Sequence, residues 1–454
     1  MASEQINIPY DELASLCDKG DLKAVARLLE GLHPTDIATA LDGLKVDDSQ
    51  ILEIFRLLPN EIGAETLLEM EGGLRELLVD SVSHAELGEL VDEMETDDVA
   101  DIVAELHEDD ARKVLDGMDY EESEAVRELL RYPEDTAGGK MQTELVAVPA
   151  EATVSNTLND IRSKGREVDH FTSVFAVDAE GRLVGTVPLD RLILADPDTV
   201  IKDITDMDAP RVTVDVDQEE VAKMFSRYDL LSMPVVDHEG RVVGRITIDD
   251  VVDVIEEEIF EDFYRVASLN VEERSMDSPL RSFKLRAPWL LINVLTAFVS
   301  ASVVKIFQGT IESMVILAVF MPVVAGLGGN AATQAITVMV RGLALGELDL
   351  KHTRRLVAKE ALVGLSNGLL VGVAAAAISS LFGASLMIGF LLFLAMTANL
   401  IIAGVCGSFI PLLLKWLGVD PALSSSVFVT ACTDIGGFFT FLGLATMFLK
   451  AGLL

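Results

Sequence analysis

Residues 427–448 read VFVTACTDIGGFFTFLGLATMF, and Asp434 is the one charged side chain between Ala422 and Leu449. About 20 apolar residues cross a bilayer, so this run is long enough to span one and carries a carboxylate near its middle. An isolated carboxylate at that depth costs about 2.5 to 3.5 kcal/mol. No candidate span offers a lysine, arginine or histidine at comparable depth, because all six histidines lie outside the spans. The simplest partner for Asp434 is a transported cation. A protonated aspartate bonded to a backbone carbonyl is the competing reading.

Thr430 and Ser426 lie one and two helical turns before Asp434 on the same face, a ladder of oxygens suited to a hard cation or its water shell. One aspartate supplies one charge and a divalent ion calls for two. A two-fold homodimer with the path on its axis supplies the second. No histidine lies near this depth, and Cys432, though close in sequence, points away from Asp434 by helical geometry, which argues against zinc or copper. Cys17, Cys406 and Cys432 show no metal or redox spacing in the sequence, which fits a reducing compartment.

Outward from this run, four more apolar stretches are expected to span, giving five in all: 288–307, 314–340, 362–382, 386–414 and 422–449. Lysine and arginine set their orientation. Arg281, Lys284 and Arg286 precede the first span, and Arg341, Lys351, Arg354, Arg355 and Lys359 lie between the second and third. Both groups belong in the cytosol, so the C-terminus is expected outside. Within the second span, PVVAGLGGNAATQ (Pro322–Gln334) crowds small residues around Asn330. Such a stretch is either a close-packing seam or part of a water-lined path. Asn399 in the fourth span is open to the same two readings.

Before residue 283 the chain is strongly acidic, which explains how a formal charge of −39 coexists with a positive mean hydropathy. Residues 1–16 lack the basic and apolar regions of a signal peptide, so this half is expected in the cytosol. No nucleic-acid partner is expected of so acidic a chain. From residue 83 the units SHAELGELVDEM, ETDDVADIVAEL, HEDDARKVLDGM and DYEESEAVRELL start 12 residues apart, with Leu90, Ile102, Val114 and Val126 at matching positions. HPTDIATALDGL from His33 is an earlier copy. Short helices with one apolar stripe must stack, so residues 1–136 are expected to form a helical superhelix.

A second repeat pairs VDAEGRLVGTVPLDRLI at Val177 with VDHEGRVVGRITIDDVV at Val236, 236 − 177 = 59 residues later. Each reads as strand, glycine turn, strand, helix. These segments resemble a tandem pair of CBS domains, at 137–203 and 204–254. That family holds an adenine nucleotide with Gly-x-x-Thr-x-x-Asp, which implies a site at Gly244, Thr247 and Asp250. The first copy has Pro188 in place of the threonine.

Residues 255–282 lead into the membrane part, 283–454. In IDDVVDVIEEEIFEDFYRV (Ile248–Val266), Asp249, Asp253, Glu257 and Glu261 share one helical face, with Asp250, Glu258 and Asp262 beside it. Like charges so spaced repel. The helix either holds cations or presents a solvated acidic face.

Taken together, the acidic repeat, YPEDTAGGKM from Tyr132, the paired CBS segments, the acidic linking helix, RAPWLLINVLTAF, PVVAGLGGNAATQ and DPALSSSVFVTACTDIGG resemble the MgtE magnesium channel family over nearly the whole chain. The resemblance implies a homodimeric Mg2+ channel or transporter in the lipid of the cell membrane, with Asp434 binding Mg2+ in the pore and Thr430, Ser426 and Asn330 lining it. It implies a plug helix that closes the pore when cytosolic Mg2+ binds acidic groups. By the same resemblance those groups are Asp97, Asp101, Asp215, Asp217, Asp229, Asp250, Asp253, Glu258, Glu261 and Asp262. Mg2+ is then both cargo and regulator, and ATP is the expected adenine nucleotide.

Other classes remain: a broader Co2+ or Mn2+ transporter, a nucleotide-gated anion carrier, or a sensor that conducts nothing. An anion carrier needs the opposite sign from Asp434. An enzyme is not expected, since no nucleophile–base pair or closed ligand set is present.

Overall fold

Short amphipathic helices that cannot bury a stripe alone must lean on their neighbours, and the described residues of the N-terminal segment form ten of them between Tyr10 and Leu129. The computed structural model describes residues 10–454 except 45, 71–72, 165–167, 169–170, 274–277, 345–347, 349–351 and 423–424. Helices two apart in sequence stack. Asn60–Leu68 packs on His84–Val91, which packs on Glu108–Gly117, and Thr96–Glu105 packs on Tyr120–Leu129. The repeat positions Leu90, Ile102, Val114 and Val126 are all buried. Ser83 and Glu86 close a reciprocal capping box at one helix start, and Asp47 with Gln50 does so at another.

The two CBS copies are built alike. In the first, β1 (Ala147–Pro149) runs parallel to β2 (Ser173–Val177), which pairs antiparallel with β3 (Leu183–Pro188). In the second, β4 (Val212–Thr213), β5 (Ser232–Val236) and β6 (Val242–Thr247) repeat that order. Ser173 faces Pro188 and Ser232 faces Thr247, with a register shift after Ala176 and after Val235. The 59-residue offset of the sequence is therefore preserved in the pairing itself. Gly181 and Gly240 each turn at φ +81, a conformation that favours glycine. The two hairpins also meet each other, Leu183 N–H donating to Gly240 O and Val242 N–H to Gly181 O.

The chain divides into two compact units, 1–255 and 256–454. Among the described residues of the second unit, five helices are long and apolar enough to cross a membrane: Pro279–Ile306, Ile316–Ala344, Thr353–Phe382, Leu386–Trp416 and Ser426–Lys450. The first begins earlier than the hydropathy suggests. Ser278 caps it and Pro279 occupies its first turn, so Pro288 falls inside the helix. The second runs unbroken through Pro322 and its glycines. The fourth is the best buried of the five and the first is almost wholly exposed. Gly364, Gly368 and Gly372 of the third span bring its backbone against Leu400, Thr397 and Phe393 of the fourth, where an added Cβ would lie 2.3–2.9 Å from backbone atoms.

Candidate functional site

In the fifth helix, Ser426, Thr430 and Asp434 follow one another at four-residue spacing. Thr430 is exposed and Asp434 is partly so, whereas Thr433 beside it is fully buried. The second span buries Ala332, Ile336 and Val340 in a cluster with Ala403, Ala422 and Val429. Its other face leaves Asn330, Thr333, Gln334 and Thr337 exposed. A polar stripe on a membrane helix is stable only against protein or water. Asn330 thus falls on the open face, while Asn399 is fully buried between helices.

The end of the linking helix reaches the start of the fifth span. Arg265 forms ion pairs with Glu261 of its own helix and with Asp420, and Ser268 and Ser426 share a hydrogen bond of 2.9 Å. Val266 packs against the cluster that holds Ala422 and Val429. Ser426 is therefore engaged by the segment after the linking helix. Glu258 and Asp262 are partly buried on the same helix. Across Ile248–Val266 a different face is apolar and exposed: Ile248, Val252, Ile255, Ile259 and Phe263. Their spacing of four, three, four and four keeps them on one helical face as an exposed apolar seam.

In the first unit the acidic residues do gather. Asp97 and Asp98 open the helix Thr96–Glu105 at its positive end and, with Glu95, lie near Asp250 of the second CBS copy. Burial, then the charges of Asp250, Asp98 and Glu95, hold the Asp97 carboxyl well above its ordinary pKa. The same two causes push Asp98 up to about 7, with Arg75 opposing. Burial first, with Asp249 and Asp253 adding to it, takes Asp250 to about 6. Asp101 stands within electrostatic reach of Asp98.

Beside this group, polar bonds join the helical stack to the CBS pair. Buried Arg245 donates from Nε to Gln142 Oε1 at 2.7 Å, and Gln142 Nε2 donates to Glu95 at 2.8 Å. Thr96 Oγ1 donates to Glu144 at 2.8 Å. Sequence reasoning missed Glu95 and Asp98, although both flank Asp97 at the start of a repeat unit. It missed Gln142 and Arg245 because their partners lie far away in sequence.

Oxygen-only donors fit a hard cation. Among the described residues no group of three histidine, cysteine, aspartate or glutamate side chains forms a ready cage. Asp215, Asp217 and Asp229 are not brought to one point. Asp217 caps the start of helix Gln218–Tyr228 and Asp229 sits at its end in the left-handed region at φ 51. The eleven-residue helix between them holds those two about 18 Å apart, twelve steps of about 1.5 Å. Asp215 is exposed, its carboxyl held low by a hydrogen bond from Thr213.

At the implied nucleotide site, Thr247 Oγ1 donates to Asp250 Oδ2 at 2.6 Å. Gly244 lies against Met141 and the Gln142 carbonyl, leaving no room for a Cβ. The three residues therefore share one edge, and Asp250 belongs both to it and to the acidic group. The first copy repeats the glycine approach with Gly185 against Asp206. It carries Pro188 and Arg191 where the second has Thr247 and Asp250, since 188 + 59 = 247 and 191 + 59 = 250. Cys406 and Cys432, on neighbouring spans, are both free and partly buried.

Comparison with known proteins agrees with this division. The divalent cation transporter family profile, MgtE, matches residues 321–444, the MgtE intracellular N domain profile matches 32–135, and the CBS profile matches 137–198 and 201–257. A magnesium transporter MgtE of Thermus thermophilus is 34% identical over 97% of this chain and 98% of its own. One of Enterococcus faecalis is 35% identical over 71% of each. The crystal structure of the cytosolic domain of the Mg2+ channel MgtE in complex with ATP aligns with 54% of this chain and 99% of its own, at 33% identity and a TM-score of 0.51. With this resemblance end to end, the chain belongs to the MgtE family of divalent cation transporters.

Proposed function

We propose that this chain forms a homodimeric, Mg2+-selective channel or transporter in the cell membrane that admits Mg2+ to the cytosol. The observation that carries the reading is the solitary Asp434, accessible on a membrane-spanning helix above Thr430 and Ser426. Two subunits facing one another across a two-fold axis place two carboxylates on the path, enough to balance a divalent ion. The exposed polar stripe of the second span and the exposed seam on Ile248–Val266 support a second copy as partner. Both copies enter one membrane from one side, so these helices pair in parallel. The C-terminus lies outside by the same orientation.

Closure by internal Mg2+ is part of the proposal. Acidic surfaces repel over about 8 Å at physiological salt, and bound cations reverse that repulsion. The candidate acceptors are Asp97, Asp101, Asp250 and Asp253 of the first unit and Glu258, Glu261 and Asp262 of the linking helix, the plug. Mg2+ keeps much of its water, so such sites bind it weakly, as sensing a high free concentration requires. Asp215, Asp217 and Asp229 serve as outlying acidic groups. ATP at Gly244, Thr247 and Asp250 modulates the same contact, since Asp250 faces both; the ATP complex of the related cytosolic domain supports this.

Flux into liposomes tests the reading. Purified wild-type chain should carry Mg2+, and Asp434→Ala, folded and of unchanged oligomeric state, should carry little. Undiminished flux in that variant refutes the pore assignment.

A further inference from the structure

Asn399 sits midway along the fourth span, fully buried, between Gly328 of the second span and Gly437 of the fifth. A Cβ on Gly328 would lie 2.3 Å from its Nδ2, and one on Gly437 would lie 2.7 Å from it. Nδ2 donates to the Val324 carbonyl at 2.8 Å. A carbonyl only accepts, so this bond fixes which end of the carboxamide is nitrogen. The oxygen, Oδ1, is buried with no hydrogen-bond partner among the described residues.

Leaving an acceptor unpaired in apolar surroundings is costly, and an aliphatic side chain of similar size would avoid that cost. Packing alone therefore does not call for an amide here. Its one bond crosses between spans and lands in the glycine stretch, six residues before Asn330. Its other wall, Gly437, lies three residues after Asp434.

We propose that Asn399 is a positioning residue for ion selection: its bond to Val324 sets the register of the second span's polar stripe against the Asp434 turn of the fifth. The proposal rests on the reading of this unit as a Mg2+ path. Mg2+ demands nearly ideal geometry at short distances and Ca2+ tolerates more, so preference between them depends on spacing that a cross-span hydrogen bond can hold. Asn399 itself touches no ion.

Mg2+ and Ca2+ influx, measured separately in liposomes holding the full chain, tests this with Asn399→Ala, Gly437→Ala and the double variant Asn399→Ala/Gly437→Ala. In the double variant the new methyl fills vacated space while the hydrogen bond stays absent. All three are expected to conduct, with the Mg2+ to Ca2+ ratio about five-fold lower, the factor equivalent to about 1 kcal/mol. A wild-type ratio in the conducting double variant would show that Asn399 only fills space, and would overturn the proposal. If Asn399→Ala does not fold, Gly437→Ala decides alone, because it crowds the carboxamide from the opposite wall; a wild-type ratio there also overturns it. Wild-type chain that carries neither ion defeats the transport reading and this inference together, whereas a conducting wild type with unchanged variants defeats the inference only.

Discussion

The two units hold carboxylates in opposite company. Asp97, Asp98, Asp250 and Glu95 lie close together, and burial first, then neighbouring carboxylates, raise the pKa of Asp97, Asp98 and Asp250. Asp434 is the one charged side chain between Ala422 and Leu449, with the hydroxyls of Thr430 and Ser426 preceding it at four-residue spacing. Clustered acids gain whenever a proton or cation arrives, and their contact tightens as it does. A lone carboxylate flanked by neutral oxygens attracts a cation without trapping it. On the function proposed above, the difference is that between a sensor and a conduit, made from one functional group.

The largest effect expected is on the conduit. Asp434→Asn removes the charge and keeps the shape, so Mg2+ flux should fall on the order of a hundredfold, matching the about 2.5 to 3.5 kcal/mol that a cation must offset there. Thermal stability of the same variant should not fall. A variant that unfolds instead would make Asp434 a structural residue and break the contrast.

The sensor should respond to pH next. A carboxyl raised in the folded state stabilises it below the unfolded pKa, and that contribution is lost as pH rises through the folded value. For Asp98 and Asp250 the folded values are about 7 and about 6, against 3.8 unfolded. Without divalent ions, the full chain in detergent should therefore melt at lower temperature as pH climbs from 5 to 8. Asp98→Asn should recover on the order of 4 kcal/mol at pH 8, from about three pKa units at 1.36 kcal/mol each. Millimolar Mg2+ should flatten the profile, and a profile of opposite slope would contradict the account.

Smaller changes sharpen the comparison. Thr247→Ala deletes the hydroxyl bonded to Asp250 and should weaken ATP binding about five-fold by calorimetry, the scale of one hydrogen bond. Unchanged heats would remove Thr247 from the site. Arg265→Gln breaks the pairs to Asp420 and Glu261, which are partly exposed and worth no more than about 1 kcal/mol. The internal Mg2+ that half-closes the path should shift less than about five-fold. A larger shift would make this ion pair a principal part of the gate.

What the sequence reveals and what it hides follow from distance along the chain. The 59-residue repeat carries over into strand register because each copy is local, and the 12-residue repeat carries over into buried Leu90, Ile102, Val114 and Val126 for the same reason. Asp434 is legible because a charge in an apolar run needs no partner to be noticed. Arg245, Gln142 and Glu95 are not legible together, since their bonds join segments about 50 to 100 residues apart. Asp217 and Asp229 come from the family resemblance alone, and the structure places them at the two ends of one helix.

The central claim is that a lone carboxylate conducts Mg2+ while clustered carboxylates sense it. Mg2+ influx into liposomes containing wild-type chain, with internal and external Mg2+ varied separately, tests it most directly. Influx should rise with external Mg2+ and shut down as internal Mg2+ reaches millimolar levels, on the face bearing the acidic unit. Influx indifferent to internal Mg2+, or none on any gradient, would contradict the account.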